Sequence, residues 1–309
     1  MKKFVFFIVC SCLFFGPVLS QQSTQFSQWV FNPISYNPAL SGIKKCPEFK
    51  TISRVQWLGF SGAPISNVIT YSVQLHTKQK QLLSPRHGIG VKFENDMIGP
   101  FVSNGLNFSY GSHFNFTPET RLSFGISLGV KQVIFSNTSL TTLLPDPANS
   151  KASTYYAPVV SFGSWWNGKN YYLSTSFQQM SVPQWKNVGV DSRDRLHWTF
   201  SGGYRWSTSD KITIIPNVLI KKTIHSPLAM DFMTYVDYVT KFKIGLGFRN
   251  KESVIGLFQV KIKDEIFVGY SVDIITSKLN TSNLFSHELT LSYSSCPSKD
   301  LGRLSCPLF

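Results

Sequence analysis

The chain alternates apolar and polar residues in about fourteen stretches, and no other feature restricts its fold as strongly. In Arg121-Leu-Ser-Phe-Gly-Ile-Ser-Leu-Gly-Val130, positions 122, 124, 126, 128 and 130 are apolar, with Ser123, Gly125, Ser127 and Gly129 between them. A period of two belongs to a strand whose two faces differ. Stretches of about ten such residues joined by turns are the pattern of a transmembrane β-barrel, apolar toward lipid and polar toward the lumen. The pattern predicts strands at 48–58, 65–76, 86–96, 101–115, 120–135, 154–166, 169–178, 195–207, 211–223, 227–238, 241–249, 253–262, 264–274 and 286–294. A secreted sandwich would show strands nearer ~5–6 residues and a polar outer face. The reading is an all-β chain with one antiparallel barrel of about 14 strands at 48–294.

The connections alternate in length. Those after even strands are mostly tight, such as Phe116-Thr-Pro-Glu-Thr120, Asn167-Gly168 and Ser207-Thr-Ser-Asp210, built from residues that accept turn geometry. Those after odd strands include the three longest, 136–153, 179–194 and 275–285. Outer-membrane barrels keep short turns in the periplasm and long loops outside. Both termini are therefore expected in the periplasm. That assigns 21–47 as a periplasmic lead-in segment and 295–309 as a periplasmic tail.

Residues 1–20 are expected to be a cleaved signal peptide. Lys2 and Lys3 precede the apolar run Phe4–Phe15, and Val18 and Ser20 are small residues before the cut. Over the whole chain, 15% aromatic content with near-zero mean hydropathy suits a barrel with aromatic girdles. Net charge is +14, yet no basic run is interleaved with stacking aromatics, which argues against a nucleic-acid partner. Three cysteines follow residue 20. Cys296 and Cys306 bracket a short tail and could close a disulfide loop, with Cys46 either unpaired or competing for one of them.

Reactive constellations are scarce. The chain lacks a Gly-x-Ser-x-Gly elbow, a His-Glu-x-x-His pair, a phosphate loop and a Cys-x-x-Cys pair. His197 and Ser201 share a strand face, but serine is abundant and the pairing reads as coincidence. No catalytic residue, metal ligand or cofactor is expected.

The distinctive motifs lie near the N-terminus. Asn32-Pro33 and Asn37-Pro38-Ala39 are turn initiators, and Gly42 closes that segment. Arg54, Gln56, Trp57, Gly59, Gly62, Ala63 and Pro64 follow in Arg-x-Gln-Trp-x-Gly-Phe-x-Gly-Ala-Pro. With Gly88-Ile-Gly90, Asn95-Asp-Met-Ile-Gly-Pro100, Ser277-Lys-Leu279 and Ser286-His-Glu288, these motifs resemble the PorP/SprF family of Bacteroidota across most of the chain. Leu40-Ser41 departs from the family, where an aromatic is common, and the loop 136–153 is this chain's own. The resemblance implies an outer-membrane barrel associated with type IX secretion and gliding motility. Its implied role is to hold a secreted surface protein or assist its export, alongside envelope secretion machinery. Tyr155, Tyr156, Trp185 and Arg193 are candidate anchors for such a partner, since aromatics and Arg dominate interface energetics. The alternative role for these residues is the aromatic girdle. The alternative function is a passive channel or small-molecule transporter.

Overall fold

The computed structural model describes residues 24–75, 83–136, 153–181, 195–224, 226–276 and 285–295. The strands are β1 (Glu48–Val55), β2 (Ile65–Gln74), β3 (Arg86–Ile98), β4 (Phe101–Asn115), β5 (Arg121–Phe135), β6 (Ser153–Asn167), β7 (Tyr171–Gln178) and β8 (His197–Tyr204). They continue with β9 (Trp206–Ser207), β10 (Ile212–Thr223), β11 (Ala229–Tyr238), β12 (Phe242–Arg249), β13 (Ser253–Lys263), β14 (Ile266–Ile275) and β15 (Phe285–Ser294). Neighbours in the chain pair antiparallel, β1 pairs with both β2 and β15, and β10 with β11, so the sheet closes on itself. β9 continues β8 past Arg205 against the same partner, β10, which makes fourteen staves of the fifteen strands.

The two faces follow the sequence period. On β5, Phe124, Ile126, Leu128 and Val130 are exposed on the outer wall, and Arg121, Ser123, Gly125 and Ser127 are buried inside. Leu246 on β12 is 71% exposed, as a side chain meant for lipid should be. Strand ends move by a few residues from the expected ones. The largest shift is at the first strand, which stops at Val55 instead of 58. Trp57 takes φ 54° and Gly59 and Gly62 take φ 99° and 76°, and this left-handed backbone cannot continue a ladder.

The expected periplasmic lead-in is corrected by the structure. Residues 26–43 do not lie beneath the barrel but fill it. Three 3-10 turns, Trp29–Phe31, Pro33–Ser35 and Pro38–Leu40, carry the segment. Phe26, Ser27, Gln28, Trp29, Val30 and Phe31 are all at most 3% exposed. The physical reason is that a closed barrel of this size leaves a lumen to fill. A segment with Trp, Phe and Leu also gains by leaving water. The segment descends the lumen. Ser27 sits against Arg54, Asp273 and Glu288, near the end carrying the long connections. Ile43 meets Arg121 at the short-turn end, just before β1 begins.

Candidate functional site: the filled lumen and its mouth

Three kinds of wall meet three parts of the inner segment. Near the long-connection end the wall is ionic. Glu288 accepts from the backbone N–H groups of Ser27 and Gln28, both at 2.8 Å, and pairs with Arg54 at 3.3 Å. Asp273 accepts from Ser27 Oγ at 2.6 Å and from Arg54 Nη2 at 2.8 Å. Arg249 pairs with Asp231 at 3.1 Å, Glu252 at 3.2 Å and Asp273 at 3.4 Å, and Lys221 pairs with Asp231 at 3.0 Å. Arg54, Asp231, Arg249, Asp273 and Glu288 are at most 2% exposed. Burying such charges is costly unless each is paired and hydrogen-bonded. The network matches cations to carboxylates and clamps the inner segment by its backbone.

In the middle the wall is apolar. Trp29, Val30 and Phe31 pack on Ile215, Leu219, Met233, Tyr235, Ile255 and Leu257 from β10, β11 and β13. Phe31 meets Tyr235 edge-on at 5.4 Å, and Lys243 Nζ lies 5.2 Å from the Phe31 ring. Lys50 caps the Phe31 carbonyl at 2.6 Å. Tyr36 accepts from the Phe26 N–H at 3.0 Å.

Opposite, the wall is bare backbone. Gly88 pairs with Gly111, Gly111 with Gly125 and Gly125 with Gly163, so four glycines line up across β3 to β6. A Cβ on Gly125 would lie 2.3 Å from Ala39 N, and one on Gly163 would lie 1.9 Å from Asn37 Oδ1. The groove they leave receives residues 37–42. Asn37 caps the last turn by accepting from Ala39 N at 2.9 Å, and its amide donates to Ser164 O and Ser174 Oγ, both at 2.8 Å. Ala39 and Leu40 lie over the stacked Trp165–Tyr172 pair, whose ring centroids are 4.4 Å apart. His113 Nε2 donates to Ser41 O at 2.9 Å, and Gly42 N donates to Ser72 Oγ at 2.7 Å. Gly42 needs its φ of 66° and its missing Cβ, which would lie 2.4 Å from Gly88 Cα.

The motif residues therefore divide by location. Asn32, Pro33, Asn37, Pro38, Ala39 and Gly42 shape the inner segment, and Asn32 accepts from Thr70 Oγ1 at 3.1 Å. Arg54 is the clamp. Gln56, Trp57, Gly59, Gly62, Ala63 and Pro64 form the β1–β2 connection at the mouth. There Gln56 N donates to Pro64 O, Leu58 N to Phe285 O and Gly99 N to Gly62 O. Leu58 and Phe60 stand exposed beside Trp57. Tyr155 and Tyr156 fall within β6, and Tyr156 faces outward, accepting from Gln132. Trp185, Arg193, Cys296 and Cys306 lie outside the described residues. Cys46 is disulfide-bonded, to a partner outside the described residues. His197 faces the lumen, where its Nδ1 meets Thr223 Oγ1 at 2.8 Å. Sequence reasoning missed the clamp acids Asp231 and Asp273 and the apolar lumen wall. The apolar wall left a signal, as apolar residues at inward positions, whereas Asp231 and Asp273 are of the type a polar lumen calls for.

A family model described as "Type IX secretion system membrane protein PorP/SprF" matches residues 18–293. No curated protein sequence matches. Among solved structures, the fold is similar to the Ralstonia pickettii toluene transporter TbuX, at 8% identity and TM-score 0.51, covering 85% of this chain and 92% of that one. It is also similar to the CymD monoaromatic hydrocarbon channel, at 9% identity and TM-score 0.50, covering 85% and 91%. At these identities the likeness concerns the barrel fold alone.

Proposed function

This chain belongs to the PorP/SprF family of type IX secretion system membrane proteins, and as a barrel of that family it resides in the outer membrane; from this we propose that it holds a secreted surface protein at its long-connection end, or assists that protein's export, without catalysing a reaction. The observation that carries the reading is the filled lumen. The inner segment is buried against walls of three chemistries, so the barrel serves as a rigid scaffold, and scaffolds present partners to their loops. Catalysis would need a positioned set of reactive groups, whereas the buried charges here are committed to one another and to the segment.

The competing reading is a channel. The similar barrels named above are a toluene transporter and a monoaromatic hydrocarbon channel. For this chain to conduct, Trp29–Phe31 would have to leave the apolar wall.

Deletion separates the two readings. Under the scaffold reading, cells lose one particular protein from their surface and keep normal small-solute permeability. Altered permeability with an unchanged set of surface proteins would favour the channel. Replacing Trp185 and Arg193 together with alanine should reduce cargo display by about tenfold if they act as anchors (~1.4 kcal/mol), with normal barrel assembly. Unchanged display would assign them to another role.

Orientation has its own test. An epitope inserted near Ala148 should bind antibody on intact cells, and one near Pro118, in the turn between β4 and β5, should not. The opposite pattern would invert the barrel.

A further inference from the structure

Four amides and a phenol form a continuous row on the outer wall of β2 to β6. Asn67, Asn95, Asn104, Gln132 and Tyr156 occupy directly paired positions on five successive strands. Each amide donates to the next: Asn67 to Asn95 at 3.4 Å, Asn95 to Asn104 at 2.8 Å, Asn104 to Gln132 at 3.1 Å and Gln132 to Tyr156 Oη at 2.8 Å. Their strand neighbours Ser66, Gly105 and Val133 are buried inward, so the row faces away from the lumen. The next outward row toward the short-turn end, Ile69, Phe93, Leu106 and Val130, is exposed and apolar.

Position identifies what meets this row. On β5 the outward residues from Leu122 to Val130 are uninterrupted apolar, and Gln132 is the first polar one. Ten residues at ~3.3 Å each, tilted by ~40°, span about 25 Å, the height of a barrel's apolar band. Gln132 therefore lies near the boundary where hydrocarbon ends, with one further apolar outward row, Ile65, Met97, Val102 and Ile134, between it and the long connections. With the long connections facing the medium, that boundary belongs to the outer leaflet.

We propose that the row Asn67–Asn95–Asn104–Gln132–Tyr156 is a binding belt for the saccharide headgroup of an outer-leaflet glycolipid. Asn95, Asn104 and Gln132 each spend one N–H and one lone pair on their neighbours, and Asn67 spends one N–H. That fixes their orientation and leaves their remaining donors and acceptors for an external group. Side chains spaced by about 4.8 Å across the strands offer an alternating set of donors and acceptors suited to a ring of hydroxyl groups. Tyr156, 61% exposed, ends the row with a ring face a sugar can lie against. The row is neutral. Lys92 and Lys131 stand at lumen-facing positions on the same strands, so the belt offers no cation for a phosphate. This selects a hydroxyl-rich headgroup over a phosphodiester. The proposal does not depend on the cargo reading, but it does depend on the orientation that the epitope insertions test.

The full-length mature barrel and the variant Asn95→Leu/Asn104→Leu/Gln132→Leu would be folded into phosphatidylethanolamine/phosphatidylglycerol vesicles with and without lipopolysaccharide. Leucine at a lipid-facing position leaves the barrel able to fold, and the heat-modifiable gel shift without lipopolysaccharide verifies this. Lipopolysaccharide should raise the wild-type unfolding midpoint by about 5 °C and leave the variant unmoved. An equal rise in both proteins, or none in the wild type, overturns the proposal. In native membranes, a photo-crosslinker at Asn104 should capture glycolipid. Capture of a protein in its place would assign the row to a lateral protein contact and also overturn the proposal.

Discussion

Replacing Glu288 with alanine should release the inner segment and lower barrel stability by about 3–5 kcal/mol, the usual cost of removing one partner from a buried ion pair. Two backbone N–H groups, those of Ser27 and Gln28, lose their acceptor together, and Arg54 Nη1 is left with Ser27 Oγ alone. No water can replace the carboxylate without opening the clamp, because Ser27 and Gln28 are fully buried. The loss is read in two ways. The urea midpoint of the folded barrel falls, and chymotrypsin gains access to Trp29 and Phe31, which the wild type protects. Glu288→Gln retains an acceptor oxygen for one of the backbone donors and should fall between the two. A Glu288→Ala barrel with wild-type stability and intact protection would show that the ionic layer does not hold the segment.

The barrel itself was legible in the sequence because lipid acts on one residue in two. Runs such as Phe124, Ile126, Leu128 and Val130 need no tertiary information to be recognised, and turn chemistry such as Pro118 and Gly168 marks where they stop. The filled lumen was much less legible. Residues 26–43 have no period, since three short 3-10 turns place side chains in all directions. Their burial depends on a wall assembled from distant strands. The glycine groove appears only when Gly88, Gly111, Gly125 and Gly163 are placed in register, 75 positions apart from first to last. The apolar wall did leave a trace. Ile215, Leu219, Met233, Tyr235, Ile255 and Leu257 occupy positions where a solvent-filled lumen would want polar side chains. In β10, the stretch Ile212-Thr-Ile-Ile-Pro-Asn-Val-Leu-Ile220 is apolar at every outward position and also at inward Ile215 and Leu219, which signals a strand covered on both sides along part of its length. Arg54 and Glu288 were visible as motif members. Their common task was not, because 234 residues separate them.

The glycine groove gives the second large effect. Gly125→Val should prevent residues 37–42 from seating, while the strands around them remain compatible with a barrel. Even the first added carbon of that side chain would lie 2.3 Å from Ala39 N and 2.4 Å from Pro38 C, and both neighbours are backbone. A flexible side chain could swing away, but the last turn cannot, because Asn37 is bonded to β6 and β7 on one side and Gly42 to Ser72 on the other. Overpacking costs ~1–3 kcal/mol where neighbours can shift and more where they cannot, so a loss above about 3 kcal/mol is expected. Gly256→Ala is the matched control. Gly256 lies between inward Ile255 and Leu257 and so faces outward, and its added methyl would approach nothing closer than 3.7 Å. That variant should unfold at the wild-type midpoint. Cargo display then links the groove to function. If the seated segment keeps the mouth in the shape that binds a partner, Gly125→Val cells should lose the surface protein even though the barrel reaches the membrane. Full display from Gly125→Val cells would place partner binding in the long connections alone, with the inner segment acting only as filling. Display lost equally in Gly256→Ala cells would trace the effect to the strands, not to the segment they enclose.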